Sequence, residues 1–204
     1  GISIQSRHPV RGLLLQRLAF TLQLALASVL VAAARGLLAG IISSTRQYSF
    51  FDTASMLGAL FGISMPIFWL GLLLILVFAA KLQWLPSGGT GSIRHLILPA
   101  IALGSASAAV IARMTRASML EVTRQDYIRT ARATGYQERV IIFRHALKNA
   151  MIPVLTVFGL EFGSMLGGAV LTETVFSLPG IGRLLVEGIF ARDYPVVQGA
   201  MILV

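Results

Sequence analysis

Four apolar stretches of membrane-spanning length dominate this chain. They run from about Leu18 to Ile42, Ala54 to Ala80, Leu96 to Ala112 and Ala150 to Leu171, and a further apolar run opens after Tyr194. A bilayer core needs about 20 mainly apolar residues per helix. The chain is 56% hydrophobic and only 12% charged, with a mean hydropathy of +0.81, whereas soluble domains carry about a quarter charged residues. The pattern predicts an all-α fold, a polytopic transmembrane helical bundle.

Between the third and fourth stretches lies a strongly basic segment, Arg113 to Pro153. It holds eight of the 17 Lys and Arg residues and three of the eight acids. Lys and Arg beside membrane spans accumulate on the cytoplasmic side, so this cluster sets the orientation. Residues 113–149 become a cytoplasmic loop, with Arg46 on the same side. The N-terminal stretch, the connector over 81–95 and the segment over 172–194 fall outside. The net charge of +9 is thereby accounted for without nucleic acid. There is no Cys, which excludes disulfides and thiolate metal sites. His8, His95 and His145 are scattered away from any carboxylate cluster, and no metal site is expected.

Gly36/Gly40, Gly58/Gly62 and Gly159/Gly163/Gly167 recur at four-residue spacing, which places each set on one helix face. Such faces let helix backbones approach closely, either as fixed packing or as sliding surfaces. Pro66 is expected to kink its span, and Pro153 to sit at the start of the next one. Arg35 and Glu161 are charges inside predicted spans, where a central charge costs about 2.5–3.5 kcal/mol. Glu161 points about 160° away from the Gly159/Gly163 face, at 100° per residue. Three readings stand: charges lining a pathway, a structural pair of Glu161 with Arg35, or an Arg35 that reaches to the interface.

Within the basic loop, Met119 to Ala133 reads as helix and Gly135 as the residue that ends it, since glycine adopts a left-handed backbone at little cost. A second helix can start near Gln137. A structured loop of this length suits insertion into a groove of a soluble partner.

The segments RQDYIRTARATG and FRHALKNAMIPVLT resemble the cytoplasmic loop of binding-protein-dependent ABC importer permeases, nearest the dipeptide, oligopeptide and nickel group. SMPIFWLGLLLILVF, WLPSGG with HLILPAIALG, and GGAVLTETVFSLPGIGRLL with RDYPVVQG agree in a consistent order. The superfamily pattern is Glu-Ala-Ala, three residues, then Gly. Here Arg129, Thr130 and Ala131 precede Gly135, so Arg stands for the Glu. Leu147-Lys148 stands where Leu-Pro is usual, and a Pro follows only at Pro153.

The resemblance implies the type I ABC importer permease fold, with 1–204 as one permease domain lacking a first span and most of the last. The chain's start at Gly1 and its end inside an apolar run fit a segment of a longer protein. The resemblance also implies an ATPase-coupling loop carrying Asp126, Arg129, Thr130, Ala131, Arg132, Ala133 and Gly135. The implied partners are a second homologous permease, two cytoplasmic ATP-binding subunits that hold ATP and Mg, and an external substrate-binding protein, all at the cytoplasmic membrane. The chain itself lacks nucleophile–base sets and a phosphate-binding loop, so it is expected to be non-catalytic and without a cofactor. Arg35 falls where the family generally has an apolar residue.

The segment Ser177 to Gly180 reads as a turn. Ile181, Leu184, Leu185 and Ile189 then form an apolar stripe on a short amphipathic helix, and Asp193 can cap the next span with Pro195 in its first turn. This is either an interfacial anchor or, as the resemblance implies, part of an outer gate and binding-protein contact through Pro179, Gly180, Arg183 and Asp193. The function expected is import of peptides or similar small solutes. The alternative is a secondary transporter or channel using Arg35 and Glu161.

Overall fold

The structure is a computed structural model that describes residues 1–203. It is helical, with no named strand among the described residues; the one β-bridge joins Ile2 to Pro9. The helices are α1 (Val10–Thr45), α2 (Phe50–Ser64), α3 (Ile67–Lys81), α4 (Arg94–Thr123), α5 (Asp126–Ala133), α6 (Glu138–Val175), α7 (Ile181–Phe190) and α8 (Tyr194–Leu203). The second half of α3, Ile75–Lys81, and one stretch of α6, Ile141–Ala146, are wound as wider π-helical turns. Among the described residues α1, α4 and α6 are long and apolar enough to cross a membrane, and α2 with α3 make a fourth span if the pair is counted as one.

The structure alters the expected boundaries in three places. The kink expected at Pro66 is a full break of the span over 54–80: the helix stops at Ser64 and restarts at Ile67. Proline lacks an N–H and pushes the residue before it away from the helical region. α4 runs on to Thr123, so Arg113 and Arg116 lie on a helix and not in a loop. α6 begins at Glu138, which leaves Pro153 inside the helix and not at its start. Transmembrane helices tolerate such a proline because neighbouring groups can satisfy the freed carbonyl.

The chain gathers into two compact units. One comprises Gly1–Val31, Met65–Gly104 and the chain from Phe162 onward. Its core joins Val10 and Leu14 of α1 to Ile181, Leu184 and Leu185 of α7 and Val196 and Ala200 of α8. Phe176, at the end of α6, is fully buried; its ring packs where a Cβ on Gly71 would lie, and its carbonyl accepts the N–H of Gly89. The stripe on α7 forms as expected except at Ile189, which is exposed. Gly188 takes the inward place instead and lies against Val196 and Val197.

The second unit comprises Ala32–Ser64 and Ser105–Glu161. Here α1 and α4 run side by side at backbone distance. A Cβ on Gly36 would meet the Ile111 side chain and the Ala108 carbonyl at 2.6–2.7 Å, and one on Gly40 would meet Thr115 and the Ala112 carbonyl at 2.5–2.7 Å. Those two glycines therefore pack helix on helix. Gly58, Gly159 and Gly163 have open space where a Cβ would stand.

Two carboxylates anchor the loops. In the second unit Asp52 accepts a two-pronged contact from Arg116, Nε to Oδ1 at 3.0 Å and Nη2 to Oδ2 at 2.9 Å. The Ser43 hydroxyl and the Tyr48 N–H also donate to it. Ser49 caps α2 by accepting the Asp52 N–H. In the first unit Glu173, 1% exposed, accepts the Thr21 hydroxyl at 2.6 Å and the Arg183 N–H at 3.0 Å, while Thr21 accepts the Ile181 N–H at 2.9 Å. One carboxyl thus ties the turn over 177–183 to α1 and α6.

Candidate functional site

The segment from Gln125 to Glu138 stands out from the second unit. The expectation of one helix through Met119 to Ala133 fails at Arg124–Gln125, where α4 closes with tightened turns (Arg124 N–H to Glu121, Gln125 N–H to Val122) and Gln125 turns extended. The reason is packing. Val122 and Ile128 are both buried in one cluster with Met119, Ile141, Ala146 and Ala150. On one continuous helix residues six apart lie about 120° from each other. The break lets both face the same core.

α5 begins with Asp126 in its first turn and carries Arg132 in its last, charges that suit the helix dipole at each end. It ends where expected. Gly135 has φ +85°, its N–H donates to Arg132, and the Tyr136 N–H donates to Ala131. These are the two bonds of the Schellman stop, which needs a left-handed residue at that position. Beyond the turn Glu138 reaches back to Arg132 at 2.6 Å. The Asn149 side-chain amide of α6 donates to the Tyr127 hydroxyl at 2.6 Å.

The whole attachment of α5 is therefore narrow. Ile128 is fully buried and Ala131 half-buried against the core. Asp126, Arg129, Thr130, Arg132, Ala133, Thr134, Gly135 and Tyr136 are all exposed. Exposed pairs such as Arg129–Asp126, at 3.6 Å, add little stability. A short, capped helix is seated on Ile128, with its two basic side chains exposed and each paired to a neighbouring acid, Arg129 to Asp126 and Arg132 to Glu138.

The other predicted positions separate. In the first unit Gly180 packs against the Glu173 carboxyl, and Arg183 pairs with Glu187 one turn on at 2.8 Å. Asp193 accepts from the Ser3 hydroxyl and from the N–H groups of Ile4, Gln5 and, in α8, Val196. It thus caps α8 as expected and also holds the N-terminal segment. The Ser3 hydroxyl first, then the backbone donors, keep its carboxyl below the usual carboxylate range against the opposite push of burial. Pro179 lies in the turn that Glu173 organises.

In the second unit Arg35 is exposed and Glu161 half-buried. No ion pair joins them among the described residues. The expectation did not single out Asp52, Arg116 or Glu173. Ser49-x-x-Asp52 has the outline of a helix-capping box and was the available signal for the first. Nothing local distinguishes Glu173.

Comparison with known proteins follows the same outline. Residues 36–204 match the family model described as binding-protein-dependent transport system inner membrane component. The di/tripeptide transport system permease protein DppB of Pseudomonas aeruginosa (strain UCBPP-PA14) is 49% identical over 232 residues, covering 100% of this chain and 69% of that protein. The glutathione transport system permease protein GsiC of Escherichia coli (strain K12) is 48% identical over 203 residues, covering 100% of this chain and 66% of that protein. The chain thus spans about two thirds of the length of these relatives. Among solved structures, a chain of the MetNI methionine ABC transporter in an inward-facing conformation superposes with a TM-score of 0.78 at 19% identity, covering 96% of this chain and 89% of that one. A chain of an amino acid ABC transporter with histidines gives 0.67 at 17% identity, covering 94% and 86%. The fold is shared with these permeases.

Proposed function

This chain belongs to the family of binding-protein-dependent transport system inner membrane components, and from that premise we propose that it is the permease subunit of an ATP-driven importer of short peptides, with α5 as its coupling helix. Relatives 48–49% identical along the whole chain are named for di/tripeptide and glutathione transport, and both substrates are short peptides. The secondary-transporter alternative is set aside, because the family is one of binding-protein-dependent transport and the relatives are permeases of such systems.

The observation that carries the coupling role is the exposure of α5 on every face but that of Ile128 and Ala131. Held to its own protein by Ile128, by the inner side of Ala131 and by the Tyr127–Asn149 bond, the helix leaves the rest of its surface available for a cytoplasmic ATP-binding subunit. Asp126, Arg129, Thr130, Arg132 and Ala133 face that subunit, and Gly135 fixes the angle at which α5 is presented. Ala131 belongs to the inner side. The chain supplies no chemistry; nucleotide and Mg are held by the two ATP-binding subunits. Closure of those subunits moves α5, and because α5 is seated on α4 and α6 through Met119, Val122, Ile128, Ile141, Ala146 and Ala150, the movement passes to the membrane helices as rigid bodies. A second homologous permease completes the pathway. An external binding protein delivers the peptide to the side carrying Pro179, Gly180, Arg183 and Asp193.

The test is co-purification of the full-length protein with its ATP-binding subunits, for wild type and for Arg129→Glu with Ala133→Arg. Both positions are exposed, so the fold is kept. Wild type is expected to retain the ATPases and take up labelled dipeptide with ATP; the variant loses both. An unchanged variant rejects α5 as the docking element. Uptake that follows a proton gradient without ATP rejects the importer.

A further inference from the structure

Helix α7 starts without a cap of its own. Its N-cap position is Gly180, which has no side chain to offer the first N–H groups. Those donors are met from other helices. The Ile181 N–H donates to the Thr21 hydroxyl of α1 at 2.9 Å, and that hydroxyl donates to Glu173 of α6 at 2.6 Å. The Gly182 and Arg183 N–H groups donate to the same carboxyl, Arg183 at 3.0 Å.

Two glycines make this possible. A Cβ on Gly180 would overlap the Glu173 carboxyl, and one on Gly182 would lie 2.5 Å from the Val170 Cα of α6. A Ser or Asp at 180 would cap the helix locally but has no room beside that carboxyl. Glu173 is 1% exposed, and a buried carboxyl costs stability until its partners offset the loss of water. A cap alone does not call for that arrangement. What the remote cap adds is direction. A side chain at the N-cap would travel with the turn, whereas Thr21 and Glu173 fix the start of α7 to α1 and α6. The face so fixed is polar and open. Arg183 and Glu187 pair at 2.8 Å on its outward side, and Pro179 stands half-buried in the turn before it. Ile181, Leu184 and Leu185 point the other way, into the core.

We infer that Glu173 is a positioning residue: through Thr21 and the first turn of α7 it holds the face of Pro179, Arg183 and Glu187 at the angle the external binding protein engages. The inference rests on the importer reading above, which sets the binding protein against this side. Glu173 and Thr21 are buried beneath that face and act only through it.

The assembled importer, with its ATP-binding subunits in lipid nanodiscs, is titrated with its external binding protein carrying alanyl-alanine, and ATP hydrolysis is followed. Two numbers are read: the half-stimulating concentration of binding protein and the rate at saturation. Glu173→Gln keeps the volume but has one oxygen for donors on both sides. Thr21→Val keeps the shape and removes the hydroxyl. Each is expected to raise the half-stimulating concentration about 10-fold, the scale of one or two lost hydrogen bonds, and to keep the saturated rate. Thr21→Ser restores the hydroxyl and returns toward the wild-type value. Thr174→Ala, whose hydroxyl bonds to Val170 of its own helix, stays at it. A residue that only holds the fold would lower the saturated rate, through loss of active protein, at an unchanged half-stimulating concentration. That result, or no change in either number, overturns the inference. If Glu173→Gln fails to assemble, Thr21→Val decides by the same split. Wild type that hydrolyses ATP with no response to the binding protein removes the importer reading itself, so the two failures are distinct.

Discussion

The Asp52–Arg116 contact offers a quantitative test of how the second unit is held together. The Asp52 side chain is 8% exposed and that of Arg116 28%. Asp52 accepts from Arg116 at two atoms and also from Ser43 and Tyr48. Removing one member of such a pair leaves a buried charge or its hydrogen-bonding partners uncompensated, at a cost of about 3–5 kcal/mol. Removing both with side chains of similar volume costs less than the two separate losses together. Asp52→Asn and Arg116→Met should therefore each destabilise strongly, while the double variant should lie well below their sum, with a coupling of about 1.5–3 kcal/mol. For a chain of this size 1 kcal/mol shifts the unfolding midpoint by about 2–4 °C, so each single variant should lose roughly 6–20 °C. The assay is thermal unfolding of the purified importer in detergent, all four proteins measured side by side. Single losses that add in the double variant would show that the two side chains are not a pair in the folded protein.

Gly135→Ala tests the turn alone. No atom obstructs a Cβ there, but φ is +85°, so a cost of about 1–2 kcal/mol is expected, read as weaker ATPase co-purification with overall folding intact. Glu173→Ala should orphan the Arg183 N–H and one partner of Thr21, lowering stability by about 2–4 kcal/mol and exposing the turn over 177–183 to proteolysis; Thr174→Ala, whose hydroxyl serves only its own helix at Val170, is the control. Asp193 has its pKa lowered in the folded protein, so its contribution is present above the unfolded carboxylate value near 4 and is lost as pH falls through the folded value. Hydrogen exchange at the Ile4 and Gln5 amides should accelerate below about pH 4 in wild type, and in Asp193→Asn it should be fast already at neutral pH.

Much of this protein follows from local rules. A run of about 20 apolar residues can only satisfy its backbone in lipid as a helix or a closed barrel, so α1, α4 and α6 were legible from composition and length. Gly135 was legible because a helix stop of this type needs a left-handed residue, and Asp193 because a cap precedes a proline-bearing first turn. What needed the tertiary structure was everything set by a distant partner. The break at Arg124–Gln125 exists because Val122 and Ile128 must enter one core. Ile189 is exposed because Gly188 admits Val196 and Val197. Asp52 and Glu173 look like ordinary loop acids until Arg116, 64 residues away, and Thr21, 152 residues away, are folded against them. Periodicity and local capping act within a few residues and are written in the chain; charge pairing and the remote cap on α7 depend on which segments meet.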